Sequence, residues 1–235
     1  MEEFMYGAKI FILYLIPMAI FFLSLRKFVR INDELFRKVL HFILLGAYIP
    51  LVFAFEKWWM ASLFSAIAIV VLYPLLAALE KLPAFAWFTN QRRSGEIKNS
   101  MVLAFSMMMI STCICWGMFK DRYLVLACVY AWGVGDAFAA LVGKKFGKHK
   151  IKFKYADKKK SVEGSLAMWI SSAIAVFIVL MIRGNLSPLN GFVIAILASF
   201  ASMMVELCTK NGYDTFTCPL AAMLVILPML SMFGG

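Results

Sequence analysis

Residues 123–165 read YLVLACVYAWGVGDAFAALVGKKFGKHKIKFKYADKKKSVEGS, an apolar run followed by a basic loop. It begins with an apolar run at 123–142 that is long enough to cross a bilayer as a helix. The run then opens into a loop with nine lysines that ends in Lys-Ser-Val-Glu-Gly-Ser. Because a carboxylate inside an apolar span is costly, Asp136 is a candidate functional residue by default. The lysines indicate that it works beside a polyanion, and we expect phosphate.

Apolar runs of similar length recur along the whole chain, which is 63% hydrophobic and only 16% charged. They predict eight membrane-spanning helices, at 10–25, 39–55, 58–79, 101–119, 123–142, 166–182, 189–207 and 217–233. The second and eighth runs are short or contain proline, so seven spans are the alternative. The connections are short. We therefore predict an all-α, polytopic integral membrane bundle that forms a single domain over residues 1–235.

The positive charges predict how the helices are oriented. Of the 24 Lys and Arg residues, 19 fall in four alternate loops, at 26–38, 80–100, 143–165 and 208–216. The positive-inside rule places these loops in the cytoplasm and both termini outside. The net charge of +11 is then a consequence of topology, and we expect no nucleic-acid partner because the loops lack a base-stacking or groove-reading module. The predicted location is a prokaryotic cytoplasmic membrane, or the endoplasmic reticulum in a eukaryote.

Asp136 has small neighbours, including Gly133 and Gly135, which allow a ligand or another backbone to come close. A divalent cation or a lysine partner would offset most of the cost of burying its carboxylate. The alternative is an ion pair with a loop lysine that only locks the helix ends together.

The loop after Asp136 combines glycines four residues apart with lysines, at Gly143, Lys144, Gly147 and Lys148. Such a segment can present backbone N–H groups to a phosphate while ammonium groups neutralise its charge. It lacks the spacing of a Walker A loop. The alternative is a basic loop that sets topology and contacts anionic lipid headgroups.

The loop closes on Lys160-Ser161-Val-Glu163-Gly164. Ser161 is a predicted N-cap, and the helix that it opens presents a positive dipole end to an anion. Glu163 favours a helix start by its charge. An acid among lysines at such an end is also suited to bridging Mg²⁺, which one or two carboxylates and substrate phosphates commonly hold.

Taken together, the segments Gly135-Asp136-x-x-Ala139, Gly143-Lys-Lys-Phe-Gly147 and Lys160-Ser161-x-Glu163-Gly164-Ser165 resemble the signature of the CTP-dependent lipid-alcohol kinases. That group includes dolichol kinase, phytol kinase and the CTP-using diacylglycerol kinase, and it is distantly related to the phosphatidate cytidylyltransferases. Weaker matches follow the expected order in the other three basic loops, at Lys38 and His41, at Arg93 and Glu96, and at Glu206 and Asp214. Thr215 departs from the Asn that the kinases often have there.

The resemblance implies an integral membrane kinase whose active site faces the cytoplasm. It would transfer the γ-phosphate of CTP, with Mg²⁺, to the hydroxyl of a lipid alcohol such as a polyprenol, a phytol-like alcohol or diacylglycerol. Asp136 and Glu163 would hold the metal, Lys144, Lys148 and Lys160 would contact phosphates, and Ser161 and Gly164 would shape the helix start. Either acid could instead accept the proton of the attacking hydroxyl. The residues that match weakly would complete the site.

Two other functions stay open at the level of sequence. A phosphatidate cytidylyltransferase is one, although the Gly-His-Gly-Gly and Asp-Arg-x-Asp motifs of that enzyme are absent. An anionic-lipid transporter is the other. Transporters usually place their polar site near the middle of the bilayer and contain inverted repeats. Here the polar residues cluster at one predicted face, and no repeat is visible.

Overall fold

The structure is a computed structural model that describes residues 1–28, 32–81, 95–152, 160–209 and 212–233. In this part of the chain the backbone is helical apart from turns and one isolated antiparallel bridge, between Lys150 and Ser161. Eight stretches are long and apolar enough to cross a membrane. The prediction of an all-α, multi-pass membrane protein with eight spans is therefore confirmed. The placement of both termini outside stays a prediction.

The chain divides into two compact units, Met1–Lys120 and Asp121–Gly235. The helices of the first unit are α1 (Glu2–Phe28), α2 (Asp33–Gly46), α3 (Tyr48–Phe53), α4 (Trp58–Leu79) and α5 (Glu96–Ser111), which continues as a π-helical segment, Thr112–Met118. The second predicted span is thus built from two helices, α2 and α3. Their junction at Ala47 puts Pro50 in the first turn of α3, where a missing N–H leaves no helical hydrogen bond unmade.

Aromatic side chains form the core of the first unit. The rings of Phe11 and Phe64 meet edge to face with centroids 4.8 Å apart, and the ring of Phe105 lies 6.2 Å from that of Phe11. The hydroxyl of Tyr48 donates a hydrogen bond to the carbonyl of Ala104 at 3.3 Å. These contacts hold α1, α3, α4 and α5 together by burial of large apolar surfaces, with the one polar atom of Tyr48 paired.

The second unit consists of four long helices: α6 (Arg122–Phe146), α7 (Val162–Arg183), α8 (Pro188–Cys208) and α9 (Asp214–Met232). The first three begin with a side-chain cap. Asp121 accepts a hydrogen bond from the N–H of Tyr123, Ser161 from that of Gly164, and Ser187 from that of Asn190. Each cap satisfies a backbone donor that the first turn of a helix leaves without a partner. The predicted cap at Ser161 is confirmed.

The helices α6 and α7 run antiparallel at close range because glycines line their contact. A Cβ atom at Gly164 would lie 3.0 Å from the carbonyl oxygen of Ala139 and 3.2 Å from the Cα of Gly143. The opposite face of α7 carries isoleucines at four-residue spacing, which are exposed: Ile170, Ile174, Ile178 and Ile182. In a spanning helix this face meets lipid, so the glycine face packs against protein and the isoleucine face contacts the bilayer.

The far ends of α6 and α7 are joined by an ion pair between Asp121 and Arg183. Both side chains are largely buried, at 16% and 13% exposure. Asp121 therefore has two structural contacts, one as the N-cap of α6 and one as the partner of Arg183.

Two substitutions separate these contacts. Asp121→Asn should lose the ion pair but keep the cap, because Asn is as good an N-cap as Asp, whereas Asp121→Ala loses both. We expect the alanine variant to have an unfolding free energy about 1 kcal/mol below that of the asparagine variant. Chemical unfolding in detergent micelles measures the difference. Equal stabilities for the two variants would show that the cap contributes nothing.

Candidate active site

Lys160 is the centre of the polar groups in the second unit. It lies just before α7, and its ammonium group contacts the carboxylate of Glu206 near the end of α8, with Nζ and Oε1 2.7 Å apart. The ammonium also donates to the carbonyl of Glu206 and approaches that of Thr209 at 3.5 Å. The side chains of Lys160 and Glu206 are only 18% and 12% exposed. Lys160 thus connects the start of α7 to the end of α8.

Two more carboxylates lie within electrostatic range of this pair. The charge of Asp136, on α6, acts on Glu206 and on Asp214, and Lys160 acts on the same two acids. The indole N–H of Trp132 donates a hydrogen bond to Oδ2 of Asp214 at 3.3 Å. We call Asp136, Glu206, Asp214 and Lys160 the acidic cluster. With every group ionised, its formal charge is −2.

The ends of two helices explain why the cluster needs its lysine. Asp214 is the first residue of α9, where the helix dipole favours a negative charge. A turn with Gly212 at φ 84° precedes it, a conformation that glycine adopts without strain. Glu206 lies near the carboxyl end of α8, where the dipole disfavours an acid. Because the side chain of Glu206 is also buried, its charge depends on Lys160.

The acidic cluster is better suited to Mg²⁺, which substrate phosphates help to hold, than to a metal ion that is bound by protein side chains alone. Among the described residues, no three His, Cys, Asp or Glu side chains form a group that could hold a metal ion. Magnesium commonly takes only one or two carboxylates and completes its coordination with substrate phosphates and water. A cluster with three acids and one ammonium has an excess negative charge that a divalent cation would balance.

The contacts of Glu163 close the basic loop. Its carboxylate accepts hydrogen bonds from the N–H groups of Lys148 and His149 at 3.2 and 3.1 Å, and Oε1 lies 2.7 Å from Nδ1 of His149. Asp136 lies ten residues before the end of α6, about 15 Å along the helix axis from that loop. The printed contacts of Glu163 are with the loop, and the expectation that it shares one metal ion with Asp136 stays a prediction.

The glycines of the loop shape helix contacts. The N–H of Gly147 donates to the carbonyl of Gly143 at 3.1 Å, and the N–H of Gly164 donates to Oγ of Ser161 at 3.2 Å. The first donor, in a segment expected to present N–H groups to phosphate, and the second, at a glycine expected to shape the helix start, are thus used inside the protein. Gly135 likewise lies against α7, where a Cβ atom would stand 3.0 Å from the carbonyl oxygen of Met168.

Other candidates lie elsewhere in the structure. Lys144 and Lys148 are exposed at the end of α6 and just after it. In the first unit, Lys38 is buried on α2 at 8% exposure, and His41 on the same helix is half-buried beside Phe42, with ring centroids 6.4 Å apart. Glu96 is the first residue of α5, and Arg93 lies outside the described residues.

Sequence reasoning missed Trp132 and placed Glu206 and Asp214 among the weaker matches; in the structure Glu206 contacts Lys160, and Asp214 lies within electrostatic range of it. Trp132 lies in an apolar run, where an aromatic residue is normally a packing residue, and its partner Asp214 is 82 positions away. A signal for Glu206 was present, since it is an acid in an otherwise apolar helix.

The contacts of Glu163 predict that it protects the loop after α6. Glu163→Ala should remove its hydrogen bonds to Lys148 and His149, so that trypsin cleaves faster after Lys148, Lys150 and Lys152. Glu163→Gln, which keeps an acceptor oxygen, should show an intermediate rate, and Glu3→Ala at an exposed site should match the unchanged protein. Limited proteolysis with mass spectrometry measures the rates. Unchanged cleavage in Glu163→Ala would contradict the assignment.

Comparison with known proteins agrees with the resemblance in the sequence. The Cytidylyltransferase family model matches residues 4–209 of this chain. The "Phytol kinase" of Synechocystis sp. (strain ATCC 27184 / PCC 6803 / Kazusa) is 32% identical over 97 residues, which are 41% of this chain and 40% of the kinase. The chain thus aligns with less than half of that relative's length. No solved structure matches. Because the family model matches most of the chain, the expected relationship is confirmed, and the chain belongs to the Cytidylyltransferase family.

Proposed function

We propose that this protein is a membrane lipid kinase that transfers the γ-phosphate of a nucleoside triphosphate to the hydroxyl of a lipid alcohol. The observation that carries the proposal is the acidic cluster, in which Lys160 is held by Glu206 beside Asp136 and Asp214. The aligned stretch of the phytol kinase supports the reaction class. The choice of CTP as donor rests on the resemblance of the Gly135–Ser165 motifs to the CTP-dependent kinases.

The cluster has the charges that phosphoryl transfer needs. This reaction depends mostly on positioning and on neutralising the charge of the phosphates. In the proposal, Asp136 and Asp214 hold Mg²⁺, which when bound neutralises charge on the triphosphate. The ammonium of Lys160, fixed by Glu206, faces phosphate oxygens, and the exposed Lys144 and Lys148 attract the nucleotide from water.

The acceptor approaches from the bilayer, whereas the nucleotide arrives from water. A lipid alcohol keeps its tail in the bilayer and presents its hydroxyl at the ends of α7, α8 and α9, where the cluster lies. A bond forms between the hydroxyl oxygen and the γ-phosphorus while the bond from that phosphorus to the β–γ bridging oxygen breaks. The nucleoside diphosphate leaves with the bridging oxygen, and a carboxylate of the cluster accepts the proton of the hydroxyl.

A second candidate is cytidylyl transfer to phosphatidate, which the name of the family favours. In that reaction a phosphate oxygen of phosphatidate forms a bond to the α-phosphorus of CTP while the bond from that phosphorus to the α–β bridging oxygen breaks. It differs in the phosphorus that is attacked, because cytidylyl transfer releases the β- and γ-phosphates as pyrophosphate.

The position of a radioactive label separates the two reactions. We expect purified full-length protein, given CTP labelled at the γ-phosphate together with lipid alcohols and phosphatidate, to transfer the label to an alcohol. Thin-layer chromatography of the lipid and aqueous phases measures it. Label recovered in pyrophosphate would establish cytidylyl transfer and overturn the kinase proposal.

The acidic cluster predicts which substitutions abolish activity. Asp136→Asn and Lys160→Met should each lower kcat/KM by at least about 100-fold, the scale for a group that stabilises transition-state charge. Lys145→Met, at the end of α6, is the matched control and should retain activity; the ammonium of Lys145 lies 5.2 Å from the centroid of the Phe146 ring. Lipid phosphorylation assays of variants with an unchanged unfolding profile measure this. An active Asp136→Asn would remove Asp136 from the proposed site.

A further inference from the structure

Trp132 contributes a polar contact to the acidic cluster although it carries no charge. Its side chain is buried in α6, at 6% exposure, and its indole N–H donates a hydrogen bond to Oδ2 of Asp214 at 3.3 Å. An indole N–H can only donate, and burying it without an acceptor is unfavourable. The contact therefore satisfies the indole, and at the same time it holds one oxygen of Asp214.

A second tryptophan shows that an indole in this unit can be satisfied without an acid. The indole N–H of Trp169, on α7, donates to the backbone carbonyl of Ile196, on α8, at 3.0 Å. That contact joins two spans and involves no charged group. The acceptor of Trp132 is instead a carboxylate of the acidic cluster, and a hydrogen bond to an ionised acceptor is roughly twice as strong as one between neutral groups. The contact of Trp132 thus orients an ionisable group, whereas that of Trp169 does not.

The position of Trp132 on α6 relates it to a second acid of the cluster. Trp132 and Asp136 are four residues apart, which places both side chains on one face of the helix. They are separated by about 6 Å along the helix axis. The charge of Asp136 also acts on Asp214. The face of α6 that carries one acid of the cluster therefore also holds another acid by a hydrogen bond.

The indole holds Asp214 without adding a charge to the cluster. Lys160 already offsets one of the three negative charges. A second ammonium in place of the indole would offset another and reduce the excess negative charge that a divalent cation would balance, whereas a neutral donor leaves this excess in place. The two residues before Asp214, Gly212 and Tyr213, are exposed, so the start of α9 is accessible from water.

We infer that Trp132 is a positioning residue that holds the carboxylate of Asp214 in the orientation in which it binds the divalent cation. The inference rests on the proposed function, in which Asp136 and Asp214 hold Mg²⁺. Carboxylates that bind metals are themselves hydrogen-bonded, and loss of such a partner typically lowers metal affinity or activity about 10- to 100-fold. In this role Trp132 contacts neither the metal nor the substrates and acts through Asp214.

The test measures metal binding directly, with no nucleotide or lipid acceptor present. Purified full-length protein in detergent is titrated with MnCl2, because Mn²⁺ prefers the same oxygen ligands as Mg²⁺ and its free form is measured by electron paramagnetic resonance. Trp132→Phe removes the donor and keeps a large aromatic side chain, and we expect it to raise the Kd for Mn²⁺ about tenfold. Trp169→Phe, the matched control, loses an indole hydrogen bond to a backbone carbonyl and should leave this Kd unchanged.

Two further measurements separate positioning from packing. A packing role would lower the midpoint of thermal unfolding in metal-free buffer and leave the Kd of the folded protein unchanged. In an Asp214→Ala background, Trp132→Phe should raise the Kd no further, because its effect passes through the missing carboxylate. Trp132→Met, which has a flexible apolar side chain without a donor, takes the place of Trp132→Phe if that variant does not fold, and the same rise is expected.

The outcomes decide this inference separately from the kinase proposal. An unchanged Kd in Trp132→Phe, a further rise in the Asp214→Ala background, or no binding of Mn²⁺ by the unchanged protein overturns the role assigned to Trp132. None of these results depends on phosphoryl transfer, which the labelled γ-phosphate tests. A rise of Kd in Trp132→Phe without label in any lipid would leave the role of Trp132 standing and remove the kinase.

Discussion

An ammonium–carboxylate contact between Lys160 and Glu206 is the centre of the polar groups that the helices of the second unit share. Both side chains are largely removed from water. An unpaired charge in such a buried position would be strongly unfavourable. Pairing them fixes the start of α7 against the end of α8. The same lysine lies within electrostatic range of Asp214 at the start of α9, and Asp136 on α6 acts on both acids. Four helices thus contribute to one polar centre.

The glycine- and lysine-rich loop serves this centre indirectly. Its glycines let α6 and α7 approach, its N–H groups are used by Glu163 and by the helix caps, and Ser161 starts α7. Lys160 is the residue immediately before that cap. A well-fixed helix start therefore directs Lys160 towards Glu206. In the described part of this loop, the N–H groups of Gly147, Lys148, His149 and Gly164 are thus used inside the protein.

The order of the spans could be predicted because the bilayer imposes a length and a composition on every helix that crosses it. All eight predicted runs correspond to spans, including the four that contain prolines. The structure shows why the second span tolerates Pro50. The span breaks at Ala47, so the proline falls in the first turn of α3. Asp136 and Glu206 could also be singled out in advance, because an acid is conspicuous in an apolar helix.

The sequence by itself determined the helices, their caps and the acids that are out of place in hydrocarbon, because these depend on neighbours within a few residues. Only the tertiary structure decided which charges meet. Lys160 lies three residues from Glu163, yet its partner is Glu206, 46 positions away, and Trp132 donates to Asp214 across 82 positions. Helix packing selects such pairs, since the direction in which a side chain leaves its helix, and which other helix faces it there, depend on the whole bundle.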